Sequence, residues 1–180
     1  MKHNKGFLLG QRHFLRGEYG RSIMGFGKAL ESGMDPARVH LPLGLAYLKN
    51  ENFAEAATEF TQALELDPAN DHVLFLRGMA RFNRGEQRSA LDDFNESLRL
   101  NPQRGVVYVA RSLLFRAMGR DLEAELDMKA ALGIGGVEAE LFMREYCLAP
   151  SLHNLAMSLL DVYKASWGFK LKASASELTH

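Results

Sequence analysis

The chain has 180 residues, 47% of them hydrophobic and 24% charged, which is enough to bury a substantial core in a single domain. Lysine plus arginine number 22 and aspartate plus glutamate 22, so no global field draws in nucleic acid or an acidic membrane surface. Cys147 stands alone, which excludes an internal disulfide and a cysteine-based zinc site; Phe7-Leu8-Leu9 is too short for a signal-peptide core or a membrane span, so a cytoplasmic protein is expected.

The sequence returns on itself every 34 residues: Leu30, Leu64, Leu98 and Leu132; Gly10, Gly44 and Gly78, then Ser112; Phe26, Phe60 and Phe94, then Met128; Ala56, Ala90 and Ala124. A period of this length marks stacked supersecondary units, each touching only its neighbours. Four units are expected, over 3–36, 37–70, 71–104 and 105–138.

In the first unit Leu9-Gly10, Phe26 and Ala29 keep the register, while Ser32-Gly33-Met34 lengthens the loop before Pro36. The second is the clearest. Val39 to Lys49 has Leu41, Leu45 and Leu48 on one helical stripe and Gly44 and Tyr47 on the next, with Pro42 in the first turns, where a missing amide is tolerated. Asn50-Glu51-Asn52 breaks the pattern. Phe53 to Leu66 then places Phe53, Ala56, Phe60, Ala63, Leu64 and Leu66 on one side and Glu55, Glu59, Gln62 and Glu65 on the other, until Asp67-Pro68 ends the helix. So short a turn makes the two helices antiparallel, and Gly44 leaves room for Phe60 or Tyr47. A mid-helix glycine costs about 1 kcal/mol against alanine, so its recurrence requires a packing reason.

The third unit carries Gly78, Ala90, Phe94 and Pro102 in register. The fourth carries Tyr108, Ala124, Met128 and Ala131, but Gly133-Ile134-Gly135-Gly136 stands where the other units end their second helix, and it is expected to stop the helix and form a joint. Ala139 to Leu148 reads as one more helix. Another opens at Pro150 with Leu152, Leu155, Ala156, Leu159 and Tyr163 on one stripe, so that 139–167 caps the stack and 168–180 is a frayed tail.

The series Leu43-Gly44, Tyr47, Ala56, Phe60, Ala63 and Pro68 resembles the tetratricopeptide repeat, departing from it at His40, where a tryptophan is usual. In the third unit Arg77, Arg81 and Ser97 depart as well. The resemblance implies an all-α, right-handed α-solenoid whose concave surface comes mainly from the first helix of each unit. It assigns four columns to that surface: Asn4, Arg38, His72, Val106; Phe7, Leu41, Phe75, Val109; Gln11, Leu45, Met79, Leu113; and Phe14, Leu48, Phe82, Arg116. Ten of the last twelve are apolar. Burying ten such side chains is worth about 15 kcal/mol as an upper bound. The expected binding groove is therefore Phe7, Leu41, Leu45, Leu48, Phe75, Met79, Phe82, Val109 and Leu113, and its partner a protein carrying a hydrophobic or amphipathic segment. Two alternatives stand beside it: the chain's own helix, Leu152 to Trp167, fills the groove, or the superhelix is tight enough for these residues to pack on one another. The family's carboxylate clamp for acidic C-terminal peptides would fall on Phe7, Gln11, Pro42, His72 and Leu76, or one unit later on Leu41, Leu45, Leu76, Val106 and Ala110. Neither register supplies the charges.

Nothing points to covalent chemistry. The histidines, His3, His13, His40, His72, His153 and His180, are dispersed without carboxylates at ligand spacing, and no strand or Gly-Lys-Ser accompanies the glycine run. The carboxylates Asp92, Asp93, Glu96, Glu123, Glu125 and Asp127 are expected on outward faces, where Arg77, Arg81, Arg84 and Arg111 meet them as surface pairs worth under about 1 kcal/mol each. A non-enzymatic adaptor, scaffold or chaperone without metal or cofactor is expected. The alternative is a structural protein that self-associates end to end through Tyr146, Trp167 and its loosely capped termini.

Overall fold

The computed structural model describes residues 4–146, with side chains up to residue 134. Among these residues there are eight α-helices and no strand: α1 (Lys5–Leu15), α2 (Tyr19–Glu31), α3 (His40–Lys49), α4 (Phe53–Leu66), α5 (Asp71–Asn83), α6 (Gln87–Leu100), α7 (Gly105–Ala117) and α8 (Asp121–Tyr146). Consecutive helices pair as hairpins, α1 with α2 through α7 with α8, and each hairpin packs on the next through α2 on α3, α4 on α5 and α6 on α7. This is the expected α-solenoid. A 3-10 turn, Pro36–Arg38, bridges the longer first loop, and the Asp35 side chain accepts from the Ala37 amide there.

One backbone device turns every hairpin. Gly17, Glu51, Gly85 and Gly119 have φ of 72°, 60°, 79° and 72° and lie 34 apart. The residue after each donates its amide back into the preceding helix, Glu18 to His13, Asn52 to Tyr47, Glu86 to Arg81 and Arg120 to Phe115, each at 2.9 Å. That closure requires a left-handed residue, which glycine supplies without a β-carbon clash. The second hairpin has Glu51 there instead.

The recurring mid-helix glycines have their packing reason. A β-carbon at Gly10 would sit 2.7 Å from the Phe26 ring, one at Gly44 2.7 Å from Phe60, and one at Gly78 2.6 Å from Phe94, all far inside van der Waals contact. Of the two candidates for the space beside Gly44, the structure selects Phe60. All three phenylalanines are fully buried. In the fourth hairpin Ser112 takes the glycine position and flexible Met128 the phenylalanine position; the Ser112 hydroxyl donates to the Ala124 carbonyl at 2.7 Å, so the buried oxygen is satisfied. Ser22 likewise donates to the Gly10 carbonyl at 2.9 Å.

Two expectations are corrected. The run Gly133-Ile134-Gly135-Gly136 does not stop a helix: α8 passes through it and is 26 residues long. Glycine lowers helix propensity by about 1 kcal/mol per residue, but its commonest way of ending a helix is to go left-handed, and Gly133 is not among the positive-φ glycines. Good helix formers, Glu138-Ala139-Glu140-Leu141, carry α8 onward. The helix expected from Ala139 is therefore the end of α8. The helix 152–167 and the tail 168–180 lie outside the described residues.

The second correction concerns charge. Asp93 and Asp127 are buried, 3% and 6% exposed. Arg77 grips Asp93 in a fork, with Nη2 at 2.7 Å and Nε at 3.1 Å, and Arg81 adds a bond of 2.7 Å; Arg111 grips Asp127 at 2.7 and 2.8 Å. The remaining nitrogen reaches back to the preceding hairpin, Arg77 to the Thr61 hydroxyl at 3.3 Å and Arg111 to the Asn95 side-chain oxygen at 2.7 Å. Ala90, Asp93, Phe94 and Ser97 fall at i, i+3, i+4, i+7 spacing, so Asp93 lies on the core flank of α6 beside its phenylalanine. A carboxylate is tolerated there because a bidentate guanidinium satisfies it. Arg84 also departs from the expected pairing: it meets Glu86, two residues on and outside the expected carboxylates, at 2.9 Å.

Stability in urea reports on both the glycine contacts and the turns. Gly78→Ser alone costs about 1–3 kcal/mol by overpacking against Phe94, and adding Phe94→Met, the fourth hairpin's own pairing, makes the double variant cost less than the sum of the single ones. Glu51→Gly raises stability by about 0.5–1 kcal/mol, the left-handed cost of a β-carbon less the added chain entropy of glycine.

Candidate functional site

The first helices α1, α3, α5 and α7 carry the nine residues of the expected groove, and the structure separates them into a buried set and an accessible one. Leu48, Phe75, Met79, Phe82, Val109 and Leu113 are buried and belong to one core cluster, with Leu41 and Leu45 packed at its edge. Phe7 sits at the edge of a second cluster made of Phe26, Ala29, Val39, Leu43 and Ala46. The ring centroids of Phe7 and Phe26 lie 5.4 Å apart and those of Phe75 and Phe94 6.3 Å apart, so this column leans on the second helix of its own hairpin. The accessible apolar strip is thus Phe7, Leu41 and Leu45, all half-buried.

Beside that strip lies a cleft of about 360 Å³ between α1 and α3, lined by Gln11, Phe14, Leu15, Phe26, Pro42 and Leu45. Leu15 is 87% exposed at its edge, and the Phe14 ring meets Tyr19 at 5.5 Å. Pro42 helps to open the cleft, since its ring is shorter than the Leu76 side chain that fills the same register position in the next hairpin. Sequence reasoning omitted Phe14, Pro42 and Leu15 from the site. Phe14 was visible as the head of the fourth column; Leu15, one residue further round α1, falls outside every column.

The polar margin is built from caps and ion pairs. The Asn4 side chain accepts from the Phe7 amide at 3.1 Å and donates to the Ser32 hydroxyl at 2.8 Å, so it caps α1. His40, in the family's tryptophan position, is half-buried with Nδ1 2.7 Å from a Glu59 carboxylate oxygen. Arg104 bonds Asp71 and donates through Nη2 to His72 Nδ1 at 2.7 Å. Because a guanidinium can only donate, this bond requires Nδ1 to be unprotonated. Burial, then the Arg104 charge, holds the His72 pKa below the ordinary histidine value, with Asp71 pulling weakly the other way. For Asp71 itself burial acts upward, but the Arg104 bond and charge together with Asn101 outweigh it and leave the carboxyl below its ordinary value. Among the described residues no group of three or more His, Cys, Asp or Glu is placed to hold a metal, and no helix is long and apolar enough to cross a membrane.

The sign of the His72 effect is fixed. With its pKa lowered on folding, the unfolded chain takes up a proton first, so His72 withdraws stability as pH falls below about 6.5 and has no effect above it. His72→Gln, whose side-chain oxygen can still accept from Arg104, reduces the stability lost between about pH 6.5 and 5 relative to the parent, measured as paired urea midpoints across that range.

With this geometry in hand, the sequence profile of the tetratricopeptide repeat matches residues 41–105, the second and third hairpins. Tetratricopeptide repeat protein 36 of Xenopus tropicalis is 26% identical over 140 residues, covering 74% of this chain and 68% of that protein. Photosystem I assembly protein Ycf3 of Acaryochloris marina is 27% identical over 62% of this chain and 69% of its own length. A tetratricopeptide repeat and J domain-containing co-chaperone of Cryptococcus neoformans is 30% identical over 46% of this chain, which there amounts to 16% of a much longer protein. Among solved structures, MamA superposes with a TM-score of 0.72 at 18% identity over 94% of this chain and 92% of its own, and MamA AMB-1 with 0.64 at 29% over 72% and 76%. Residues 41–105 are thus a tetratricopeptide repeat region, and the glycine–phenylalanine register and the left-handed turns carry the same unit outward on both sides.

Proposed function

We propose that the chain is a protein-interaction module, an adaptor, scaffold or chaperone acting in the cytoplasm, which holds a hydrophobic or amphipathic segment of another protein against the concave side of its first two hairpins. The observation that carries this reading is the half-buried set Phe7, Leu41 and Leu45, the last of which also lines the cleft between α1 and α3. Accessible apolar side chains beside a cleft are where helical or extended apolar segments dock. Leu48, Phe75, Met79, Phe82, Val109 and Leu113 form the floor that fixes the strip's shape, rather than the surface a partner touches. The absence of the clamp charges from Phe7, Gln11, Pro42, His72 and Leu76 turns the preference away from acidic peptide ends. Relatives named as an assembly protein and a co-chaperone are consistent with handling of protein partners. The arrangement of residues serves binding, not catalysis.

Partner capture from native lysate, followed by mass spectrometry, supplies the ligand, and variants then locate it. Leu41→Asp with Leu45→Asp lowers capture at least about tenfold with circular dichroism unchanged, whereas Leu66→Asp, at an exposed position on α4, has no effect. Met79→Asp is unsuitable for this purpose, because Met79 is fully buried and a carboxylate there unfolds the hairpin. Undiminished capture by the Leu41→Asp, Leu45→Asp variant overturns the reading.

A further inference from the structure

Arg81 departs from the repeat pattern in a way the core does not account for. Its column holds His13, Tyr47 and Phe115 in the other hairpins, so a ring is the usual occupant. The buried carboxylate it meets does not call for it either. In the fourth hairpin Arg111 alone grips Asp127 in a fork, and in the third Arg77 already grips Asp93 in the same way from the equivalent position. Arg81 adds a second guanidinium, through Nη1 at 2.7 Å, to a carboxylate that has its bidentate partner.

The added charge lines a cleft. A space of about 250 Å³ opens at the joint between the second and third hairpins, with Thr58, Thr61 and Gln62 of α4 on one wall and Arg81, Arg84 and Glu86 on the other. Three guanidiniums, Arg77, Arg81 and Arg84, meet two carboxylates there, Asp93 and Glu86, which leaves one net positive charge. The Arg81 side chain is only 24% exposed, so water screens it in part, and a partly desolvated cation without a full counter-charge is costly. The α4 wall adds polar groups and no carboxylate. Thr61 accepts from Arg77 at 3.3 Å and donates to the Ala57 carbonyl at 2.8 Å; the Gln62 amide gives one of its two protons to Glu65, which lies outside the lining, at 3.2 Å. The first joint has Tyr47 and Asn50 in the columns of Arg81 and Arg84, and the third has Phe115 and Met118, so the arginine pair is confined to the middle joint.

We infer that this cleft is a binding site for a single oxyanion group, a carboxylate or a phosphate, held by the nitrogens that Arg81 does not spend on Asp93 and by Arg84, with the second Gln62 proton in support. A guanidinium presents its donors in a flat fork that matches either group, and the one surplus positive charge sets the capacity at one anion. Glu86 competes with the ligand for Arg84, its own partner at 2.9 Å. The site shares no lining residue with the cleft between α1 and α3 and includes none of Phe7, Leu41 and Leu45, so it stands or falls independently of the proposed partner groove.

Titration of the full chain with inorganic phosphate, and separately with acetate, at constant ionic strength tests it, followed by nuclear magnetic resonance of the backbone amides and the arginine Nε–H groups. At least one of the two anions produces a saturable shift centred on Arg81, Arg84 and the Thr58 to Gln62 stretch, with a Kd on the order of millimolar, and the tighter of the two identifies the preferred group. Arg81→Tyr, the second hairpin's own residue in this column, weakens binding at least about tenfold while Arg77 keeps Asp93 paired and circular dichroism stays unchanged. Arg84→Gln, at an exposed position, weakens binding too, so the outcome does not depend on how Arg81→Tyr folds. Glu86→Gln releases Arg84 and tightens binding severalfold, a change that a purely structural role for these arginines does not produce. The inference is overturned if neither anion gives a saturable shift, if the shifts survive both arginine substitutions, or if Glu86→Gln weakens binding.

Discussion

A phenyl ring packed against a glycine, with no room for one carbon atom between them, sets how closely the two helices of each of the first three hairpins approach. Gly10 with Phe26, Gly44 with Phe60 and Gly78 with Phe94 repeat one geometry, and everything stacked on those hairpins inherits their spacing. The helix gives up about 1 kcal/mol of propensity at each glycine. It recovers more than that from a fully buried aromatic side chain, since burying one contributes about 1.5–3 kcal/mol. The fourth hairpin fills the same two positions differently, with a small hydroxyl residue bonded to the facing backbone and a thioether in place of the ring.

Much of this was legible in the sequence because the signal repeats. The helix limits Phe53–Leu66 and the break at Asn50-Glu51-Asn52 emerge from periodicity and proline alone, and the glycine column announced its own packing role. The turn column, Gly17, Gly85 and Gly119, recurs at the same interval and was equally available; it was hidden because Glu51 interrupts it in the clearest unit. The glycine run after Leu132 misled for a different reason. Composition reports a weak helix former, but a glycine left in helical geometry does not end a helix, and the strong helix formers from Glu138 to Leu141 favour continuing it.

The groove was legible only in outline. Column positions told which residues share a face, but not how far neighbouring first helices close over that face. Where α5 lies between α3 and α7, its column is covered, and Phe75 and Met79 become interior. Toward the N-terminal end the cover is thinner, Pro42 fills less space than Leu76, and Leu45 stays accessible. The charged residues failed in the opposite sense. Asp93 and Asp127 look like solubilising carboxylates until each is placed beside its core phenylalanine or methionine, and arginine 16 residues earlier is then the natural partner.

Those arginines also make the joints between hairpins unequal. Arg77 and Arg111 each tie a first helix both to its own partner and to the hairpin before it, whereas the first joint has Leu43 and Gly27 at the corresponding positions and relies on the small cluster around Phe26 and Val39. Half-buried Tyr47 is the side chain shared between that cluster and the larger one. Contact between apolar groups weakens on cooling, while charge-assisted bonds do not depend on that driving force. All the joints share that apolar driving force, but the second and third add arginine bonds that do not fade with it, so cooling is expected to weaken the first joint most.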